Sequence, residues 1–242
     1  MRQALTLALD HTTTRHGFGT ALSRRPMMAN VLADMAVEVE AATLLALRVA
    51  HATDHLGTDA RQTAFARVAT PIAKFFNCSR APAIAYEALQ CHGGNGFIEE
   101  NPMARLYREA PLNSVWEGTA NMMCMDVRRA ISRNPDVRPA LMAEFKDVRG
   151  ENRQFDHFLG TLSPLLDAIA ADEYSARAVT EALARAIQGA LLIRHSTGDV
   201  VDAFVATRLG SGTWGTLLGT LPAGIRQAQA DAIVARAQVV RR

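Results

Sequence analysis

Between Pro26 and about His55, apolar residues recur at three- and four-residue intervals, at Met28, Val31, Leu32, Met35, Val39, Ala42, Leu45, Ala46 and Val49. That is the period of one helical face, whereas a strand would repeat every second residue. The stretch predicts a single long amphipathic helix. Ser23 and Pro26 mark its start and Gly57 its end. A helix of that length with a wide apolar stripe must bury it against others, and the rest of the chain supplies them. A second long helix is expected from about Arg61 to Leu89, with Phe65, Val68, Ile72, Phe75, Phe76, Ile84 and Leu89 facing the core and with Pro71 and Pro82 kinking or loosening it.

Strand-like alternation is almost absent. A shorter helix is expected over Arg2 to His16, stopping in the turn Arg15-His16-Gly17-Phe18-Gly19, and another over Thr119 to Arg133, ended by Asn134-Pro135. Beyond it the pattern predicts two helices within Val137 to Ala171, divided near Gly150 or Pro164, a long alanine-rich one over Ser175 to Leu209, and a last one over Pro222 to Val240. Gly210 to Leu221 reads as a glycine-rich surface loop carrying Trp214. The chain is therefore all-α: a four-helix bundle over residues 1–134, followed by a helical extension over residues 135–242.

With 242 residues and 49% hydrophobic content, the chain can bury a substantial core. Its 26 basic and 24 acidic residues create no global field aimed at nucleic acid or an anionic membrane. Cys78, Cys91 and Cys124 form an odd set without a C-x-x-C pair, which argues against a disulfide framework or a zinc site and points to a reducing, cytoplasmic setting. No apolar run approaches the ~20 residues of a spanning helix, and Asp10 and His11 interrupt the short apolar stretch at the N-terminus, so neither membrane insertion nor export is expected. His51 and His55 share i, i+4 spacing, but without a neighbouring Glu motif they predict no metal site.

The chemistry concentrates in Gln90 to Arg129, where the glycine turn Gly93-Gly94-x-Gly96 precedes the carboxylate of Glu117, held between Trp116 and Gly118-Thr119. Glycine allows phosphate to approach main-chain N–H groups, although the same turn would also simply stop a helix. Glu117 suits a general base if Trp116 partly desolvates it, or else it caps the helix starting near Thr119.

Arg15-x-x-Phe18-Gly19, Gln90-x-x-Gly93-Gly94-x-Gly96-Phe97 and Trp116-Glu117-Gly118-Thr119, in this order and at these separations, resemble the C-terminal helical domain of the acyl-CoA dehydrogenase flavoenzymes over roughly residues 1–133. Leu106-Tyr107-Arg108-Glu109, Asn113-Ser114-Val115-Trp116-Glu117-Gly118 and Met123-Cys124-Met125-Asp126-Val127 are similar to the AidB, or alkylation-response, subgroup, whose helical C-terminal extension residues 135–242 would match.

The resemblance implies α,β-dehydrogenation of an acyl-CoA thioester with FAD as hydride acceptor. It assigns Glu117 as the catalytic base and Trp116 as a bulkier aromatic that narrows the acyl channel. Arg15 is implied to reach the flavin pyrophosphate through paired donors, and Phe18 to pack near the adenine, usually on a neighbouring subunit. Gln90, Gly93 and Gly94 would form the turn facing the diphosphate. Thr119 and Asn121 would contact cofactor, with Asn121 standing where many relatives carry glutamine. Family members have an N-terminal helical domain and a middle β-domain ahead of this region, so the FAD site is expected to be incomplete in this chain alone. The implied partners are an acyl-CoA-type small molecule and either further copies in a homo-oligomer or a chain supplying the flavin-holding domains. DNA is a further candidate, through Arg128, Arg129, Arg133, Arg138, Arg149, Arg153 and Arg241-Arg242, although interleaved Asp126, Asp136, Glu144, Asp147 and Glu151 equally describe a solvated face.

Overall fold

The computed structural model describes residues 1–210 and 227–238, nearly all of them helical. The helices are α1 (Arg2–Thr14), α2 (Pro26–Asp54), α3 (Ala60–Cys91), α4 (Pro102–Glu109), α5 (Ala120–Arg133), α6 (Val137–Ala143), α7 (Arg153–Gly160), α8 (Leu162–Ala171), α9 (Ala176–His195), α10 (Gly198–Phe204) and α11 (Gln227–Ala237). Among the described residues the β-structure is one hairpin, β1 (His16–Gly17) against β2 (Thr20–Ala21), antiparallel with His16 opposite Ala21 and Gly17 opposite Thr20. Its two loop residues, Phe18 and Gly19, have φ of 54° and 84°, as a type I′ turn requires.

The local chemistry explains these boundaries. Pro26 is the first residue of α2, where its missing N–H breaks no helical bond. Gly57 turns the chain with φ 75°, and Asp59 Oδ1 then accepts from the Arg61 and Gln62 amides at 2.8 and 3.0 Å, capping α3. α3 runs unbroken for 32 residues through Pro71 and Pro82. The helix boundary therefore lies at neither proline, and burial of Ile72, Phe75, Phe76 and Ile84 along its length holds it helical.

Two expectations beyond Asn134 are corrected. Val137 to Ala171 holds three α-helices, because the chain breaks at Gly150, with φ 90°, and again at Thr161. Pro164 divides nothing: it sits in the first turn of α8, where no intrahelical N–H is lost. The stretch Ser175 to Leu209 is interrupted at Ser196, whose extended backbone (φ −111°, ψ −177°) ends α9 before α10 begins at Gly198. The last helix is described over Gln227–Ala237. The loop expected at Gly210 to Leu221, with Trp214, lies outside the described residues apart from Gly210, as does Arg241-Arg242.

The described residues form two compact units, drawn from 1–40, 80–113, 198–210 and 227–238 in the first and from 41–79 and 114–197 in the second. In the first, Leu5, Leu32, Met35, Ile84, Met103 and Phe204 are fully buried. The same unit holds a buried ionic cluster. Arg208, 4% exposed on the π-turn that follows α10, pairs with Asp34 at 2.6 Å and Glu38 at 3.2 Å. Arg80 reaches Glu38 from α3 at 3.0 Å. Burial alone would push the Glu38 carboxyl up, but Arg208 and Arg80 hold it below its usual range.

The second unit packs α5, α7, α8 and α9 together. Phe145 and Phe155 meet edge to face at 6.5 Å inside it. Arg48 lies over the Phe65 ring at 4.1 Å and donates to both carboxylate oxygens of Glu144, at 2.8 and 2.5 Å.

Candidate functional site

In the first unit, α3 ends at Cys91 and passes into a 3-10 turn over Gly93–Gly96. Two glycines there are required for different reasons. Gly93 has φ 60°, and a Cβ on Gly96 would lie 2.4 Å from the Leu89 carbonyl oxygen. The turn faces the C-terminal end of α1. Between them lies a cleft of about 390 Å³ lined by His11, Arg15, Gln90, His92, Gly93 and Gly94, among others. Four residues singled out in the sequence for the cofactor, Arg15, Gln90, Gly93 and Gly94, thus meet at one site. All four are solvent-exposed.

Two histidines stand with them that sequence reasoning missed. His92 is buried, pairs through Nδ1 with the Ala88 carbonyl oxygen at 2.7 Å, and stacks on His11 at 4.6 Å. Burial, then His92 and Arg15, push the His11 imidazole below its ordinary range. A signal existed in the sequence: His11 precedes Arg15 by four residues, hence one helical turn on the same face. The nearby Cys91 thiol is pushed up to about 12, by burial first and by Glu87 second, which makes it a poor nucleophile.

Phe18 lies outside this cleft, at the tip of the hairpin. It is 93% exposed with its backbone in the left-handed region, an unusual place for an aromatic residue. Arg25 fixes it, donating to the Phe18 carbonyl oxygen and placing its guanidinium 5.4 Å from the ring centre.

Glu117, Thr119 and Asn121 belong to the second unit. Glu117 and Gly118 have φ of 55° and 111°, so the backbone takes two left-handed residues before Thr119, the N-cap position of α5. A Cβ on Gly118 would approach Met123 Cε to 2.6 Å. Lys74, reaching over from α3, donates to the Trp116 carbonyl oxygen at 2.9 Å and to that of Gly118. Asn121 Oδ1 accepts from Arg177 at 2.8 Å, leaving its amide NH2 to donate elsewhere. The cover expected from Trp116 is not supplied: Trp116 is 55% exposed and Glu117 is exposed too. Adjacent residues entering a turn point apart, so an indole next in sequence does not shield its neighbour.

Elsewhere the second unit uses several arginines internally. Arg128 donates to the Ile169 carbonyl oxygen at 3.0 Å, Arg129 pairs with Asp126 at 3.2 Å and Arg138 with Asp167, while Arg133, Arg149 and Arg153 are exposed. His51 and His55 pack ring to ring at 4.6 Å. Among the described residues no helix is long and apolar enough to cross a membrane.

Comparison with known proteins matches residues 1–132 to the family described as acyl-CoA dehydrogenase, C-terminal domain. The putative acyl-CoA dehydrogenase AidB of Escherichia coli (strain K12) is 37% identical over 209 residues, which are 86% of this chain and 38% of that protein. Acyl-CoA dehydrogenase family member 11 of Caenorhabditis elegans is 28% identical over 83% of this chain and 36% of that protein. The crystal structure of Caenorhabditis elegans ACDH-11 in complex with C11-CoA superposes with a TM-score of 0.72, at 23% identity, over 84% of this chain and 39% of that one. That of an acyl-CoA dehydrogenase complexed with FAD from Bacillus anthracis does so with a TM-score of 0.67, at 14% identity, over 98% of this chain and 53% of that one. The chain thus spans under two-fifths of the length of both curated relatives.

Proposed function

We propose, from the premise that this chain belongs to the acyl-CoA dehydrogenase family, that it forms part of an FAD-dependent enzyme removing hydrogen across the α,β bond of an acyl-CoA thioester. The observation that carries this reading is the convergence of Arg15, Gln90, Gly93 and Gly94 on one cleft. A diphosphate fits that donor set. Arg15 offers two parallel N–H donors, Gln90 an amide, and a backbone bare of Cβ atoms at Gly93 and Gly94 lets phosphate oxygens come close.

The chemistry a bound flavin supplies is acceptance of a hydride from the substrate β-carbon. Glu117 is the proposed base. Its carboxylate oxygen takes the α-proton, and the electron pair of that C–H bond becomes the new C=C bond as the hydride departs. Phe18, held out from the hairpin tip by Arg25, would pack on the adenine end of a flavin carried by another subunit. Trp116 at the base turn would restrict the acyl channel, and Thr119 and Asn121 would contact the cofactor. The whole activity draws on more protein than this chain spans, through a homo-oligomer or a partner chain that holds the flavin ring. A DNA-binding role draws less support, since Arg128, Arg129 and Arg138 already donate to acceptors within the chain.

Titration with ADP, which carries the diphosphate without the flavin ring, tests the cleft. Arg15→Ala should weaken binding about tenfold to a hundredfold, the worth of a charged hydrogen bond. Unchanged affinity would remove the cofactor assignment. In a preparation that turns over an acyl-CoA thioester, Glu117→Gln should lower kcat by about two to four orders of magnitude. Full turnover in that variant would show the base to lie elsewhere.

A further inference from the structure

We propose that Lys74 is a positioning residue for Glu117: its ammonium bridges the carbonyls on either side of that residue and holds the backbone in the left-handed conformation from which the carboxylate is presented. The proposal rests on the assignment of Glu117 as the base.

The left-handed region disfavours any residue with a Cβ, and such a conformation persists only where the surroundings over-determine it. Glu117 sits there with φ 55°, exposed and without a buried side chain to fix it. Something else must hold the turn. The following residue contributes half of the answer: Gly118 takes φ 111°, a left-handed value that glycine adopts without strain, with Met123 Cε 2.6 Å from where a Cβ would stand. Lys74 contributes the other half. The Trp116 carbonyl belongs to the peptide plane before Glu117 and the Gly118 carbonyl to the plane after Gly118, and one ammonium accepts neither substitution nor rotation of either without losing a charged hydrogen bond.

The anchor stands on a helix that is tied to its neighbour. Lys74 projects from the interior of α3, between the buried Ala73 and Phe75. Seven residues earlier on the same helix, Arg67 grips both carboxylate oxygens of Asp126 at 2.8 Å, two turns into α5. Two cations at i and i+7 therefore tie α3 to the turn and to the helix that follows it. Cys78, one turn beyond Lys74, has its thiol pushed up by burial while the Lys74 charge opposes the rise.

The bland alternative is that Lys74 merely docks a loop, whatever residue stands at position 117. Backbone chemical shifts of a chain labelled with 13C and 15N at glutamate report the sign of φ at residue 117 and separate the two. The unsubstituted chain and Lys74→Arg should show a left-handed residue. In Lys74→Met the left-handed population should fall about tenfold, on the scale of one charged hydrogen bond, with amide protection in α9 unchanged. Should Lys74→Met fail to fold, Lys74→Gln, which keeps an N–H donor without the charge, should give an intermediate loss. Retention of the left-handed residue in Lys74→Met, or in Lys74→Gln if that alone folds, overturns the proposal.

Turnover supplies the second readout. In a preparation active on an acyl-CoA thioester, Lys74→Met should lower kcat at least tenfold with KM nearly constant, and Lys74→Arg should restore most of it. A Lys74→Met enzyme with a loosened turn but full kcat overturns positioning while leaving the base in place. If Glu117→Gln retains full turnover, it is the base assignment that fails, and the shift measurement still decides whether Lys74 sets the conformation of residue 117.

Discussion

At His11, burial and neighbouring charge act on a single imidazole. Its imidazole lies against His92 and near Arg15, and burial together with these neighbours favours the neutral form. A base whose folded-state value is lowered binds fewer protons folded than unfolded. As pH falls through about 6.5 the unfolded chain takes up a proton that the folded chain refuses, so stability declines on acidification. His11→Gln should lose less thermal stability than the parent between pH 7.5 and pH 5.5, read by differential scanning calorimetry. Equal losses would show that His11 does not titrate differently on folding. Glu117 illustrates the opposite balance of information. Its identity and place in Trp116-Glu117-Gly118-Thr119 were legible from sequence, but its left-handed backbone was not, because the turn around it is bonded to a lysine 43 positions away in α3.

For the helical elements, period and caps carried most of the signal. α1, α2, α3 and α5 fall where the apolar spacing placed them, since each long stripe must be buried. The misjudged boundaries have separate causes. Pro164, counted as a candidate break, sits harmlessly in a first turn, and the interruption after His195 falls at Ser196-Thr197, which an alanine-rich run conceals, while Pro71 and Pro82 lie inside α3, one continuous helix as its apolar spacing predicts. One cap can be tested directly. Asn152 Oδ1 accepts from the Gln154 and Phe155 amides at 3.0 Å each and starts α7. Asn152→Ala should destabilise by about 1 kcal/mol, a fall in Tm of about 2–4 °C for a chain of this size. A Tm unchanged in thermal melts would mean that α7 does not need its cap.

At the scale of the whole molecule, residues far apart in the chain share each compact unit, and a buried charge cluster shows the dependence most clearly. Arg208 meets Asp34 and Glu38 from more than 160 positions away, in a site where Asp34 is fully buried. Arg208→Ala should cost about 3–5 kcal/mol, because it strands buried carboxylates, and Arg208→Met combined with Asp34→Asn and Glu38→Gln should recover part of the loss. Urea unfolding midpoints measure both, and a single variant as stable as the parent would show the cluster to be dispensable. The Glu38 part of this stability, present above about pH 4.3, should disappear as acid protonates a carboxyl whose folded-state value is lowered. By itself the sequence determined the all-α class, the main helices, the family resemblance and the candidate chemical residues, because periodicity and short motifs are local properties of the chain. Only the tertiary structure decided which of those residues share a surface. It brought Arg15 to the glycine turn, added His11 and His92 beside them, and set Lys74 on the turn of Glu117, since contacts between distant segments follow from how the helices bury their apolar faces against one another.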